Sequence, residues 1–312
     1  MLFESEDCFK SLDDFVLHSA CLDTPLVIAF SDISYLEITL NWIVAIERVS
    51  VENYLIVALD VETFQFLNEK NLPTVAMFLD DTNRGLELPW LTRLWELRLH
   101  VFQYLAYAEC DFIHSDVDAV WLQNPIEDLL LREDYDLLFS SGTNYPLETA
   151  RKLGFVACCG FFYVKASNSV GKLFEDIATA STISGDDQVG LNRVLSNSDF
   201  GWIVSQGVYH LRKVSHFLDK TDDGKFLCSR QTIPGFSDAY NLRVGILPHH
   251  LVQRIPQNNT DVYLKHPLAS RDLEHRISTL AENGCWFLSG KWKSSCFNRS
   301  NILSLCNRQV DS

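Results

Sequence analysis

Two carboxylates two residues apart, Asp116 and Asp118, stand inside a run that is otherwise apolar. Phe112 and Ile113 precede them, and Ala119, Val120, Trp121 and Leu122 follow. In an extended segment such residues point to the same side, so both can converge on one point. Acids placed in so apolar a run cost desolvation energy unless a cation or hydrogen bonds compensate. Two hard oxygen ligands suit Mg²⁺ or Mn²⁺, which keep waters and take substrate phosphates as further ligands. A bare Asp-x-Asp is common in solvated turns and helix caps. The apolar flanks move the reading toward a metal that holds a nucleotide diphosphate.

Other residues can serve such a centre. His266 follows the strand-like Val262–Lys265, and neutral imidazole suits Mn²⁺ better than Mg²⁺. His249 and His250 compete with it, since they follow the apolar stretch Val244–Leu247. Asp186, Asp187 and Gln188 open a helix pattern, where N-capping explains the first acid well and the second less well. Arg98 and Arg93 lie on the helix pattern before the acidic strand, and a solvated helix face is the favoured reading of both. Gly160 interrupts a strand pattern, as a close approach or a bulge requires. Trp202 and Tyr209 read as core residues more readily than as sugar platforms. The chain has no Gly-x-Ser-x-Gly, no Walker loop and no Gly-x-Gly-x-x-Gly, and so no evident covalent nucleophile or phosphate loop.

The elements that must position these residues alternate in the first half. Pro25–Phe30, Tyr54–Leu59 and Thr74–Phe78 read as strands; Tyr35–Val49, Val61–Lys70 and Trp90–Ala108 read as helices. The fold class is therefore α/β, a mostly parallel central sheet with helices on both faces. Ligands bind such sheets beyond the carboxyl ends of the strands, where Asp32, Asp60 and the Asp116/Asp118 pair all fall. In the second half Tyr135–Phe139 and Cys158–Val164 read as strands around a loop, Ser140–Lys152, and Ser169–Ala180 and Asp186–Leu195 as helices. Beyond Phe200 the pattern weakens into short strands and turns. One continuous domain fits best: a nucleotide-binding half at about 25–125, an acceptor-binding half at 126–290 and a tail at 291–312.

Bulk properties set the bounds. The chain has 312 residues, 47% of them hydrophobic, enough for a sizeable core. Its formal charge of −15 argues against general affinity for nucleic acid or anionic membranes. Nine cysteines without metal-type spacing read as mostly buried thiols, with a late pairing among Cys285, Cys296 and Cys306 left open. The first residues lack a signal-peptide pattern and no run reaches the length of a membrane span, so the expected location is cytoplasmic, or the secretory lumen if an anchor was removed.

The string His114-Ser-Asp-Val-Asp-Ala-Val-Trp-Leu-Gln-Asn-Pro125 resembles the GT-A glycosyltransferases, and within them the nucleotide-diphospho-sugar transferase family that includes glycosyltransferase family 77. Leu40-Asn41-Trp42, Leu59-Asp60, Cys159-Gly-Phe-Phe162, Asp186-Asp-Gln188 with Leu191-Asn192, His266-Pro267 and Gly284-Cys-Trp286 follow in the family's order. The resemblance implies transfer of a sugar from a nucleotide-diphosphate donor, favouring a UDP-sugar, to a sugar or glycoprotein acceptor, with retention and with Mn²⁺ or Mg²⁺. Asp118 would bind the metal directly, Asp116 the metal-bound water or ribose, and His266 would close the site, although Pro267 departs from the family's pattern. Asp187 and Gln188 would face the sugar or acceptor as the catalytic pair. Asp32, Asp60, Arg98, Asp116 and Arg271 would contact the nucleotide, with Lys265 beside Arg271 on the diphosphate. Two rival readings remain: a non-catalytic carbohydrate-binding protein on the same frame, and a sugar-phosphate nucleotidyltransferase. The second is weakened by a first loop, Ser31–Tyr35, without glycine or basic residues.

Overall fold

Each apolar run of the first half becomes a buried strand. In the computed structural model β1 (Leu26–Ser31), β2 (Tyr54–Ala58) and β4 (Phe112–Ser115) are buried along their whole length, and the short β3 (Thr74–Ala76) flanks them. The structure describes residues 12, 13, 16, 24–79, 90–131, 134–197, 199–204, 209–212, 225–257, 261–269 and 272–307, with the backbone alone at 209–212 and 225–228. Three helices connect the first strands: α1 (Leu36–Arg48), α2 (Val61–Glu69) and α3 (Trp90–Tyr107). Then come β5 (Val120–Trp121), β6 (Leu137–Ser141), α4 (Leu147–Leu153), β7 (Ala157–Val164), α5 (Asn168–Ser184) and α6 (Asp187–Leu195). The remainder is β8 (Phe200–Trp202), β9 (Tyr209–Arg212), β10 (Lys225–Cys228), β11 (Ile233–Ser237), β12 (Leu242–Ile246), β13 (Val252–Gln253), β14 (Leu264–Lys265) and α7 (Leu273–Glu282).

The main sheet runs β3-β2-β1-β4-β7-β6-β12-β11-β8. From β3 to β4 every neighbour is parallel. Beyond that, β7 runs antiparallel to both β4 and β6, and β11 to both β12 and β8. The class is α/β, but the sheet is mixed rather than mostly parallel. The physical reason is connection type: only a long crossover can return a strand parallel, and β11 and β12 are joined by a tight turn. Alternate residues supply two cores. On one face Phe112 and Phe162 pack with α3 and α5; on the other Ile113 and Phe161 pack with α1.

Two boundaries differ from the sequence reading. The loop expected at Ser140–Lys152 holds α4, which buries only Thr149 and so shows no apolar stripe. Its signals are electrical and terminal: Glu148 in the first turn, Arg151 and Lys152 in the last, and Gly154 closing it at φ +83°. The tail expected from 291 is folded in as far as the structure describes it. Phe297, Ile302 and Leu305 are buried in the α1 core, and Leu288 bridges Cys306. Cys285, Cys296 and Cys306 are free thiols, so the late pairing is not formed. Among the described residues no helix is long and apolar enough to cross a membrane.

Candidate metal and nucleotide site

The acidic pair sits where β4 ends, on a tight turn. Ala119 donates its backbone N–H to the carbonyl of Asp116 at 2.9 Å, and the chain re-enters extended structure only at Val120. The two carboxylates therefore converge through a turn, not through the alternation of an extended strand as the spacing first suggests. The turn is anchored from below by Ser115, which is fully buried. Its hydroxyl accepts the indole N–H groups of Trp42 at 3.0 Å and Trp121 at 3.1 Å, and faces the carbonyls of Asp116 and Ala119.

His266 arrives by sheet register. β5 leaves the turn and pairs antiparallel with β14, Val120 opposite Lys265, so the next residue of the chain lies beside the acids. His266 Nε2 is 3.1 Å from Asp118 Oδ1 and 3.8 Å from Asp116 Oδ2. Asp116, Asp118 and His266 offer ligand atoms that all lie within 4.8 Å of one another. Gly160 makes this approach possible: a Cβ there would stand 2.3 Å from His266 Cε1 and 2.5 Å from Asp116 Oδ2. The mixed oxygen and imidazole set, and the cradle that a single methyl would fill, fit Mn²⁺ or a similar divalent ion. The rival histidines are placed elsewhere: His249 Nε2 accepts the backbone N–H groups of Arg254 and Ile255, each at 3.1 Å.

Arg98 is the central cation. It is buried, which overturns the reading of a solvated helix face. It reaches Asp116 at 3.2 Å, Asp187 at 3.6 Å and the Cys159 carbonyl at 3.0 Å. His114 lies 2.8 Å from Arg98 and 3.2 Å from Asp116. Burial lowers its pKa to about 4, so it stays neutral, its Nδ1 facing the Ile28 carbonyl, and Arg98 supplies the charge that Asp116 needs. Burial raises the Asp116 pKa most, but Arg98, His114 and His266 together outweigh it and the net shift is downward. Asp118 is lowered further, burial being overcome by His266 and Arg276. Burial and Arg254 work against protonation of His266, yet Asp118 shifts it upward. The Cys158 thiol lies against the same imidazole; burial lifts its pKa, and Arg254 and His266 bring it down to about 7.

The acids open into a cleft of about 460 Å³ beyond the ends of β1 and β4, lined also by Asp32, Tyr35, Trp95 and Arg276. Asp32, in the lining of this cleft, accepts the Tyr35 N–H and the Ser34 hydroxyl. Asp60 is spent on structure: it caps α2 through Thr63 and accepts the Ile33 N–H, each at 2.7 Å, and is not among the cleft's described lining. Asp186 is the helix cap that the sequence suggests. Asp187 is 5% exposed and backs Arg98 instead of lining the cleft; burial raises its pKa to about 6. Gln188 accepts the Cys159 N–H at 3.2 Å and donates to the Tyr145 carbonyl at 2.8 Å, tying α6 to β7 and to the loop before α4. Lys265 donates to the Asn283 carbonyl at the end of α7 and is not on the acids. Arg271 lies outside the described residues. Sequence reasoning missed Arg276, which meets Asp118 from α7 and lies over the Tyr35 ring, its guanidinium carbon 5.7 Å from the ring centre. No local signal marks it, since the partners are 158 residues apart.

The sequence model of the nucleotide-diphospho-sugar transferase family matches residues 49–276, a span that contains every one of these acids except Asp32, together with Arg98, His266 and Arg276. An arabinosyltransferase of Arabidopsis thaliana is 22% identical over 185 residues, covering 55% of this chain and 28% of the relative. A beta-arabinofuranosyltransferase of the same plant is 23% identical over 171 residues, 51% of this chain and 30% of the relative. The matched parts thus make up less than a third of either relative's length. Among solved structures, the apo form of the bifunctional glycosyltransferase WbbM overlays with a TM-score of 0.39 and 15% identity, covering 56% of this chain and 38% of that one.

Proposed function

The chain belongs to the nucleotide-diphospho-sugar transferase family, and on that premise we propose that it moves a sugar from a UDP-sugar to a sugar or glycoprotein acceptor, with a divalent metal, Mn²⁺ before Mg²⁺, and with retention, on a GT-A frame of the family 77 kind. The observation that carries the reading is the convergence of Asp116, Asp118 and His266, the two acids lining a cleft beyond parallel strand ends. The two plant relatives, both named for arabinose transfer, favour a pentosyl donor over a hexosyl one.

Asp118, Asp116 and His266 would hold the ion, which when bound supplies Lewis-acid neutralisation of the departing diphosphate. Asp32, which lines the cleft, would take a hydroxyl of the nucleoside. Arg98 fixes Asp116 and lines the cleft beside it. Asp187 acts through Arg98, and Gln188 holds the strand that carries Gly160 in register. With no covalent nucleophile evident in the sequence, retention would proceed by front-face attack, the leaving phosphate accepting the acceptor's proton.

The test is thermal stability with UDP, GDP and CDP, each with and without Mn²⁺, in the wild type and in Asp118→Asn. Ligand at a hundred times its Kd stabilises by about 2.7 kcal/mol, a shift of several degrees at roughly 2–4 °C per kcal/mol. The expected shift needs Mn²⁺, favours UDP and is lost in Asp118→Asn. A nucleotide shift that ignores both the metal and the substitution sinks the metal-dependent reading.

A further inference from the structure

Arg276 has no part in the reading above, yet it is a cation that meets the buried acid Asp118. Asp118 is engaged on both oxygens, Oδ1 by His266 and Oδ2 by Arg276. Its nearest charges pair off without any ion. The carboxylates are Asp116, Asp118 and Asp187; the guanidiniums are Arg98 on Asp116 and Asp187, Arg276 on Asp118, and Arg254, whose charge acts on Asp118 and which donates to the His266 carbonyl at 3.0 Å. A divalent ion added to this cluster meets carboxylates that guanidiniums already engage. It sits beside a guanidinium in a setting of low dielectric, where like charges repel strongly. A diphosphate added with the ion brings further negative charge, and it brings it to the cleft that Arg276 lines.

We propose that Arg276 couples the two ligands: it weakens binding of the bare ion and strengthens binding of the ion with a nucleoside diphosphate, so that neither partner occupies the site well alone. This rests on the donor-site reading and goes beyond it. The arginine is built for the exchange. It stands on α7 and its head group reaches Asp118, while its guanidinium also lies over the Tyr35 ring in the cleft lining. Turning from the carboxylate to a phosphate in the same cleft therefore needs side-chain rotation and no movement of the helix. Asp118 keeps His266 at its other oxygen throughout.

The experiment is calorimetric titration of Mn²⁺ alone, of UDP alone and of Mn²⁺ at saturating UDP, into the wild type, Arg276→Gln and Arg276→Lys, each first checked for wild-type circular dichroism. The coupling factor is the ratio of the Mn²⁺ Kd without UDP to that with it; couplings of roughly 5–150-fold are typical. In Arg276→Gln the bare ion is expected to bind about tenfold tighter and the coupling factor to fall by about tenfold or more, while Arg276→Lys keeps most of the coupling because the charge is kept. An Arg276→Gln protein that binds bare Mn²⁺ no more tightly, or that keeps the wild-type coupling, overturns the proposal and leaves the donor site standing. A wild type that binds neither Mn²⁺ nor UDP under any arm overturns both.

Discussion

Asp187 shows how a single residue can be set against the stability of its own fold. Burial raises its pKa to about 6, and the arginine beside it, Arg98, does not bring it back to the ordinary carboxylate value. The unfolded chain releases this proton near 3.9. Between those values the native state holds a proton that the unfolded state has lost, so native stability falls as pH rises from about 4 through about 6. The full effect is about 3 kcal/mol at most, at 1.36 kcal/mol per unit. Asp187→Asn is neutral at every pH and escapes that cost. It is expected to be more stable than the wild type at pH 7.5, with the gain shrinking toward zero near pH 4, while transferase turnover falls because Arg98 loses a charged partner. Urea melts at pH 4.5, 6 and 7.5 read the first effect and turnover reads the second. An Asn variant less stable than the wild type at pH 7.5 overturns the stability cost, and one with wild-type turnover removes Asp187 from the mechanism.

At the scale of elements, the strands and helices of the first half were legible because burial wrote itself into apolar runs: β1, β2 and α1 fall within two residues of where the pattern sets them. The acidic pair was legible too, but its geometry was not. The turn at Asp116–Ala119 depends on Ser115, and a buried serine between a histidine and an aspartate carries no pattern of its own. Arg276 was illegible as a site-builder for a related reason, since it acts on a side chain far away in the chain; Gly160 was marked as a close approach, but only the folded register shows that His266 and Asp116 are what approach it. Ser115→Ala tests the anchor. It leaves the indole N–H groups of Trp42 and Trp121, both fully buried, without their shared acceptor. At about 1–3 kcal/mol for each stranded buried donor, the loss is expected to be roughly 2–6 kcal/mol. Because the same hydroxyl supports the acidic turn, Mn²⁺ affinity is expected to fall alongside it. A destabilisation below about 0.5 kcal/mol, the size of an ordinary surface substitution, would falsify the anchoring role.

At the scale of the molecule, the site depends on a segment that touches none of its ligands. Asn41 on α1 donates to the Cys285 carbonyl at 3.0 Å and accepts the N–H groups of Phe287 and Leu288, at 2.7 and 3.1 Å, clamping the chain after α7 against the α1 face of the sheet. The same clamp fixes the end of α7, the helix that carries Arg276, and α1 presents Trp42 to Ser115 under the acidic turn. Beyond it Phe297, Ile302 and Leu305 fill the same core and are 3%, 1% and 1% exposed. Burying each of these is worth about 1.5–3 kcal/mol, together a large part of the 5–15 kcal/mol that ordinarily separates folded from unfolded chains. A chain ending at Ser289 keeps every residue assigned to metal and nucleotide. It is nevertheless expected to lose the sharp near-ultraviolet dichroism of packed aromatic rings, to unfold in urea without a cooperative transition, and to lose Mn²⁺-dependent UDP binding with it. If the shortened chain instead unfolds cooperatively at the full-length midpoint and still binds UDP with Mn²⁺, then α1 and α7 hold the site without the C-terminal segment, and the core that positions Arg276 is smaller than the packing around Asn41 implies.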